Sequence, residues 1–241
     1  MSEVLNNLKV DEMYYGEYGQ QWLSNSDISS LLVNPGNFRK ARSDNKALIM
    51  GRYFHWSILE PEKAKEIQCI DATTRSTKAY KEATQDGSVM LLCHEQAHVD
   101  KMVNTVKGNF EFFEGIYEEG NVFEQPATTE LFDLDWKGKA DIVASSRIID
   151  LKTTSNLNSF RQSAYKFNYD SQAYLYQKLF GKPMEFWAID KTTLAMGQFH
   201  CSDDFLRSGE QKVKEASEIY KRFFGKSSTE SIENHYIVEE L

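Results

Sequence analysis

The sequence is poor in proline and cysteine, and it has no long hydrophobic run. Only 4 of its 241 residues are proline, which excludes a long proline-rich linker. No apolar stretch approaches the roughly 20 residues that a membrane-spanning helix needs. The polar, acidic N-terminus has no apolar core of a secretion signal. We therefore expect a single domain over residues 1–241, located in the cytoplasm and without membrane contact.

The three cysteines are Cys69, Cys93 and Cys201. They are odd in number and far apart, and none has the spacing of a metal-binding pair. We expect no disulfide, which is consistent with a reducing compartment.

Acidic residues outnumber basic ones, 36 to 28, so the net charge is -8. This charge argues weakly against a protein that coats nucleic acid nonspecifically. It leaves room for a basic track confined to one groove, and it is equally consistent with a charge that only maintains solubility.

The first half of the chain, residues 1–115, is predicted to be mostly helical. Apolar residues at helical spacing predict helices over 24–34, 46–66 and 89–114, and Pro61 is expected to end or restart the second. A polar loop and a short helix are expected over 71–88.

The second half changes character near Gly115. Alternating stretches predict strands at 128–132, 136–144 and 147–152, with a turn at Ser145–Ser146. A helix over 159–181, strands at 186–193 and 195–201 and a helix over 203–224 follow, and then an acidic tail at 226–241. The fold class is thus α/β (mixed α+β), with a central mixed sheet flanked by helices and an N-terminal helical extension.

Three charged residues are expected to meet on adjacent strands. Asp150 and Lys152 are two positions apart on one strand, so their side chains share a face while Leu151 points into the core. Asp141 lies on the preceding strand and can reach the same place. Two carboxylates and the Leu151 carbonyl would form a hard oxygen site suited to Mg²⁺. Taken alone, an Asp-x-Lys pair is also common on exposed strands.

In its context this arrangement resembles the PD-(D/E)xK nuclease superfamily, in particular the RecE-like (exonuclease VIII-like) and RecB-like exonucleases. Three further segments carry the resemblance: Gly51 and His55 in GRYFHW, Gln172 and Tyr176 in YDSQAYLY, and the stretch FWAIDKTTLAMGQF. The similarity covers about residues 25–225. Ala140 stands where the superfamily name has proline.

The resemblance implies a Mg²⁺-dependent exonuclease, with Mn²⁺ as a possible substitute, that degrades double-stranded DNA ends 5′→3′ and leaves a 3′ single strand for recombination by annealing. It places the metal on His55, Asp141, Asp150 and the Leu151 carbonyl. It implies that Lys152 positions or activates the hydrolytic water, and that Gln172 and Tyr176 order the substrate and the lysine. It also implies a homo-oligomeric ring, a trimer or tetramer, and a single-strand annealing partner of the RecT or Redβ type.

Several alternatives stay open at this point. The same core serves endonucleases and single-strand nucleases, and an inactive DNA-binding module would keep the same fold. Glu124, and less strongly Glu130, could bind a second metal. Two basic clusters could contact phosphates or be merely solvated; they comprise Arg39, Lys40 and Arg42, and Arg75, Lys78 and Lys81.

Overall fold

The computed structural model describes residues 2–41, 43–226 and 228–234. The helices are α1 (Glu3–Lys9), α2 (Asp11–Tyr15), α3 (Asn25–Val33), α4 (Lys46–Leu59), α5 (Pro61–Lys65), α6 (Lys78–Ala83), α7 (Cys93–Gly108), α8 (Phe110–Tyr117), α9 (Phe160–Lys166), α10 (Tyr169–Phe180) and α11 (Asp203–Phe223). The strands are β1 (Cys69–Ile70), β2 (Leu91–Leu92), β3 (Val122–Leu131), β4 (Leu134–Val143), β5 (Ile148–Thr154), β6 (Met184–Asp190) and β7 (Met196–His200).

The main sheet has five strands in the order β3-β4-β5-β6-β7. Neighbouring strands are antiparallel except for β5 and β6, which are parallel. A parallel pair needs a long crossover, and α9 and α10 provide it. The predicted mixed sheet flanked by helices is confirmed.

Helices cover both faces of this sheet. Successive side chains of β5 and β6 therefore point alternately into two apolar cores. Ile148 and Phe186 face one core with α3, α10 and α11. Ile149, Leu151 and Trp187 face the other with α4, α7 and α8. Such alternation is what a strand buried on both sides requires. As a result, α4 and α10 approach the same strand, β5, from opposite faces.

The boundaries of several elements differ from those predicted. The helix predicted over 159–181 is two helices, because Asn168 adopts a left-handed conformation with φ of 57°. The helix predicted over 89–114 contains β2 and then breaks at Asn109, whose side chain accepts a hydrogen bond from the Phe112 N–H (3.0 Å). β3 begins at Val122, six residues before the predicted start. In the predicted tail, residues 227 and 235–241 lie outside the described part of the chain.

The expectation of no disulfide was wrong. Cys69 and Cys93 are bonded to each other, and Cys201 is free. Cys69 lies on β1 and Cys93 begins α7 just after β2, and the pairing of β1 with β2 brings the two together. Among the described helices, none combines the length and the apolar character needed to cross a membrane.

Arg75, one of the basic residues considered for phosphate contact, instead forms contacts inside the protein. Its guanidinium donates two hydrogen bonds (2.6 and 2.7 Å) to the carboxylate of Glu95, which is only 3% exposed. The Leu92 N–H and the Lys46 ammonium also reach this carboxylate, each at 3.1 Å. Burial raises the pKa of Glu95, but Arg75, Leu92 and Lys46 outweigh that effect and hold it at about 2. Arg75 therefore ties the loop before α6 to the start of α7.

In the other basic cluster, Arg39 also forms contacts inside the protein. It pairs with Asp27 (3.3 Å). It also donates to the carbonyls of Gln20 (2.6 Å) and Trp22 (2.7 Å). Lys40 is exposed, and Arg42 lies outside the described residues.

We predict that Glu95→Gln lowers the free energy of unfolding by about 2 kcal/mol at neutral pH, since it removes a charged hydrogen-bond acceptor. Glu95 has a folded pKa of about 2 against an ordinary 4.5. Its contribution to stability is therefore complete above about pH 5 and is lost as the pH falls toward 2. Urea denaturation over this pH range should show a smaller acid loss in the variant. Glu82→Gln is the control, because Glu82 forms only an exposed pair with Lys78 (3.6 Å). Equal losses in the two variants at neutral pH would contradict the prediction.

Candidate active site

The site forms where β4 and β5 separate. These strands pair only through Ile142 with Ile149 and Val143 with Ile148. The next pair in this register would be Asp141 with Asp150, but the ladder does not continue. Instead, the Asp141 carboxylate accepts a hydrogen bond from the Leu151 backbone N–H (2.8 Å). The side chain thus holds β4 to β5 where the strands diverge, and it brings the two aspartates to the same opening.

Asp150, Lys152 and Gln172 form a closed set of contacts on one face of β5. The Lys152 ammonium lies 2.6 Å from Asp150 Oδ2. The Gln172 amide, on α10, donates to Asp150 Oδ1 (2.5 Å) and accepts from Lys152 (3.2 Å). Oδ2 of Asp150 is buried and makes no hydrogen bond of acceptable geometry despite the nearby ammonium. The predicted positions of Asp150 and Lys152 on one face, and of Leu151 in the core, are confirmed.

His55 reaches the opening from the opposite face of the sheet. Its Nδ1 lies 2.8 Å from the Gly51 carbonyl, one turn earlier in α4. Its Nε2 lies 2.7 Å from the Leu151 carbonyl and 3.2 Å from Asp141 Oδ2. The structure therefore brings together His55, Asp141 and the Leu151 carbonyl, three of the four predicted metal-binding groups, within direct contact of one another.

The charges of these groups depend on each other. Burial lowers the pKa of His55, but the Asp141 carboxylate outweighs it and raises that pKa to about 9. Burial raises the pKa of Asp141, and the adjacent His55 reverses this and leaves it below its ordinary value. For Asp150, burial raises the pKa and the nearby Asp141 adds to the rise, against the attraction of Lys152. Two carboxylates in one buried opening thus favour any additional positive charge.

Glu124 lies beside this opening, as the hypothesis of a second metal requires. Phe123 pairs with Ile142 and Gln125 with Ala140, so the register places Glu124 opposite Asp141. Its backbone has a φ of 46°, a conformation that few side-chain-bearing residues adopt. Burial raises the pKa of its carboxyl group to about 8, with further contributions from Asp141 and Glu60. Glu60, which the sequence analysis did not single out, is therefore part of the same acidic surroundings.

Tyr176 does not contact Lys152. Its hydroxyl donates to the Lys139 backbone carbonyl (3.0 Å), and its ring lies against Gly138, where a Cβ would come within 2.9 Å of it. Tyr176 thus fixes β4 two residues before Asp141. Glu130, the weaker metal candidate, is exposed near the end of β3 and pairs with Asp135, far along the strand from Asp141.

The nearer of two aromatic rings beside the Lys152 ammonium is Tyr169, to which no role was predicted from the sequence; the other is Phe186 at 5.7 Å. The ammonium lies 4.6 Å from the centre of the Tyr169 ring, which stacks on Phe186. A cation over an aromatic face is attracted by the ring quadrupole. The spacing of Tyr169, Gln172 and Tyr176 on one helical face was the feature from which this contact could have been predicted.

Two buried lysines on β4 were also missed. Lys137 and Lys139 share a strand face with Asp141, and both are less than 9% exposed. Asp11 accepts from Lys139 (2.6 Å), and Lys137 contacts the Tyr14 ring and its carbonyl. The N-terminal helices therefore cover the part of β4 next to the site, and Asp11 neutralises Lys139.

The donor set fits a hard divalent cation. Asp141 Oδ2, the Leu151 carbonyl and His55 Nε2 are mutually close, and the buried Oδ2 of Asp150 lacks a hydrogen bond. Carboxylate and carbonyl oxygens are ligands that Mg²⁺ and Mn²⁺ accept. In the described residues, no three His, Cys, Asp or Glu side chains already converge closely enough to form a complete site. The Asp150 carboxylate faces Lys152 and Gln172, so its side chain would have to rotate toward the cation to bind it.

Comparison with known proteins identifies the family. The model of the family "PDDEXK-like domain of unknown function (DUF3799)" matches residues 26–231, most of the chain. The chain belongs to this family of PDDEXK-like domains. The family agrees with the PD-(D/E)xK resemblance expected from Asp141, Asp150 and Lys152. No curated protein matches the sequence.

Two solved structures are similar to the fold. One is a "Putative exonuclease" from Eubacterium rectale, with a TM-score of 0.66 and 16% identity over 96% of this chain and 95% of that chain. The other is a phage-related exonuclease from Haemophilus somnus, with a TM-score of 0.33 and 12% identity over 63% of this chain and 88% of that chain. At these identities the first likeness shows the fold alone, and the second is too weak to support an argument.

We predict that Tyr176→Phe lowers the free energy of unfolding by about 1–3 kcal/mol, because it leaves the Lys139 carbonyl without a partner in a buried place. Thermal and urea denaturation measure the loss. Tyr174→Phe is the matched control on the same helix, since the Tyr174 hydroxyl donates to Glu210 (2.9 Å) at the edge of the core. An unchanged stability in Tyr176→Phe would show that this hydrogen bond does not hold β4.

Proposed function

We propose that this domain is a metal-dependent DNA nuclease. The observation that carries the proposal is the meeting of Asp141 with Asp150 and Lys152 at the point where β4 and β5 diverge, with His55 and the Leu151 carbonyl beside them. A bound Mg²⁺ or Mn²⁺ would lower the pKa of a water and neutralise charge on the scissile phosphate.

The protein's own groups have distinct roles in this proposal. Asp141, Asp150, His55 and the Leu151 carbonyl hold the cation. The positive charge of Lys152 lies beside the attacking water and the phosphate, where it stabilises developing negative charge. Gln172 fixes the separation of Asp150 and Lys152 through its two hydrogen bonds. Tyr176 is a positioning residue that acts through the β4 backbone.

We further propose that the substrate is an end of double-stranded DNA, degraded 5′→3′ to leave a 3′ single strand for recombination by annealing. The ordered motifs at Gly51–His55, Asp141, Asp150–Lys152 and Gln172–Tyr176 support this RecE-like assignment. Such a substrate implies a cytoplasmic protein. An endonuclease or single-strand nuclease on the same core is the second candidate, because these residues do not specify how a strand enters.

The test uses purified protein with Mg²⁺ or Mn²⁺ on a linear duplex labelled at its 5′ ends and on a closed circular duplex. We expect release of labelled nucleotides from the linear DNA and an intact circle. Asp150→Asn should reduce the rate by more than about 100-fold, since losing even a group that only supports a metal ligand costs about 10–100-fold.

Asp135→Asn is the control for this variant, because Asp135 is an exposed aspartate on the neighbouring strand β4. Its rate should match that of the wild type. Cutting of the circle would assign an endonuclease, and full activity of Asp150→Asn would overturn the proposed site. DNA binding with no cutting in either metal would assign a binding module that lacks activity.

We also propose a homo-oligomeric ring, a trimer or tetramer, and a single-strand annealing partner of the RecT or Redβ type. Both follow from the RecE-like resemblance. Light scattering coupled to gel filtration, on the protein alone and mixed with such an annealing protein, should give three or four times the 27.8 kDa chain mass and then a larger complex. A monomer at micromolar concentration would refute the ring, and separate elution of the two proteins would refute the partnership.

A further inference from the structure

Gly51 lies in the middle of a helix, and no close contact among the described residues requires a glycine at this position. It lies in the second turn of α4, where glycine costs helix stability relative to alanine. A Cβ built on it would meet no other atom of the protein within 4 Å. Close packing inside the fold therefore does not explain the absence of a side chain.

The position of Gly51 relates it to the candidate active site. Its carbonyl accepts the hydrogen bond from His55 Nδ1, and the opposite ring nitrogen faces Asp141 and the Leu151 carbonyl. Residues four apart in a helix lie on the same side. The bare surface of Gly51 is thus one helical turn from the proposed metal position.

A cavity of about 500 Å³ lies between α4, α7 and β5. Ala47 and Met50, in the turn of α4 before Gly51, and Thr153 of β5 line it. Its inner wall is apolar and includes Val99 and Met102. This volume lies within the range of about 300–1,000 Å³ that holds small organic ligands.

The rim of this cavity is basic. Lys46, His98 and Lys191 lie around it. Lys46 is paired with Glu95 (3.1 Å), whereas among the described residues no carboxylate comes within salt-bridge distance of Lys191. An apolar interior with a cationic rim suits an aromatic base attached to a phosphate.

We propose that this cavity receives a nucleobase of the DNA strand being cut, and that Gly51 leaves clearance for the sugar–phosphate that joins this base to the scissile phosphate. The base would pack against Met50, Val99 and Met102, with Lys191 near a phosphate. This inference rests on the proposed nuclease function and deepens it.

The first experiment compares Gly51→Ala with Gly108→Ala. Gly108 is the last residue of α7, and a Cβ there also meets nothing within 4 Å. Because alanine favours helix, we expect Gly51→Ala to keep or raise the melting temperature, by about 2–4 °C. Its kcat/KM should nevertheless fall by about 10–100-fold, since a displaced strand reacts slowly. Gly108→Ala should keep wild-type activity.

The second experiment measures DNA binding by fluorescence anisotropy, with Ca²⁺ replacing Mg²⁺ so that cutting is not needed. Each of the first three 5′ nucleotides is replaced in turn by an abasic nucleotide. In the wild type, one position should weaken binding by about 10-fold. In Ala47→Trp, which fills the cavity mouth, that difference should vanish. Leu48→Trp, on the neighbouring exposed position outside the cavity lining, should retain it.

The outcomes separate the inference from the function on which it rests. A wild type that cuts DNA while Gly51→Ala cuts equally well overturns the clearance role. An abasic effect of the same size in Ala47→Trp and wild type, or no effect at any position, overturns the base site. In both cases the nuclease assignment stands. A wild type that neither binds nor cuts DNA overturns the function and this inference together.

Discussion

The hydrogen bond between the Asp141 carboxylate and the Leu151 N–H is the contact on which the candidate site depends. A sheet ladder that continued past Ile142 and Ile149 would fill the space between the two aspartates with backbone hydrogen bonds. The divergence of β4 from β5 opens that space, but it leaves a backbone donor that must be satisfied. The Asp141 side chain satisfies it and keeps its remaining acceptor capacity toward the opening.

This arrangement concentrates negative charge where water is scarce, and the surroundings are organised to compensate for it. Removing a carboxylate from water costs several kcal/mol unless a partner repays it. Lys152 serves Asp150 directly, and the His55 imidazolium serves Asp141. Gln172, a neutral group, joins Asp150 to Lys152 without adding charge. Lys152 on β5, held by Gln172 of α10, and His55 on α4 therefore offset the charge of the two buried carboxylates.

Much of the site could be predicted because it depends on short-range periodicity. The alternation of strand residues places Asp150 and Lys152 on one face and Leu151 in the core, and helical spacing places Gln172 toward β5. The break at Asn168 could not be predicted, because a single left-handed residue interrupts an otherwise continuous helical pattern. The pairing of Cys69 with Cys93 depends on a two-residue parallel strand pair, which has no periodicity to detect.

The environment of β4 was unpredictable for a different reason. Lys137 and Lys139 look like exposed residues of an alternating strand, and they are buried only because α1 and α2, more than 120 residues away in sequence, cover them. Contacts of this range leave no local pattern. The sequence could therefore indicate the chemistry of the site, but not the N-terminal cover beside it.

The net charge of -8 must also be reconciled with a DNA substrate. At physiological ionic strength charges are screened over about 8 Å, so a phosphate at the site responds to its immediate neighbours more than to the whole surface. Arg39, Arg75 and Lys139 are all engaged by carboxylates and cannot serve a strand without breaking those pairs. Lys152 is paired with Asp150 until that carboxylate turns toward a metal, whereas Lys191 at the cavity has no carboxylate within salt-bridge distance among the described residues. An acidic protein can thus bind a polyanion if its available cations are few and local, and such binding should be weak away from the site and depend on the metal within it.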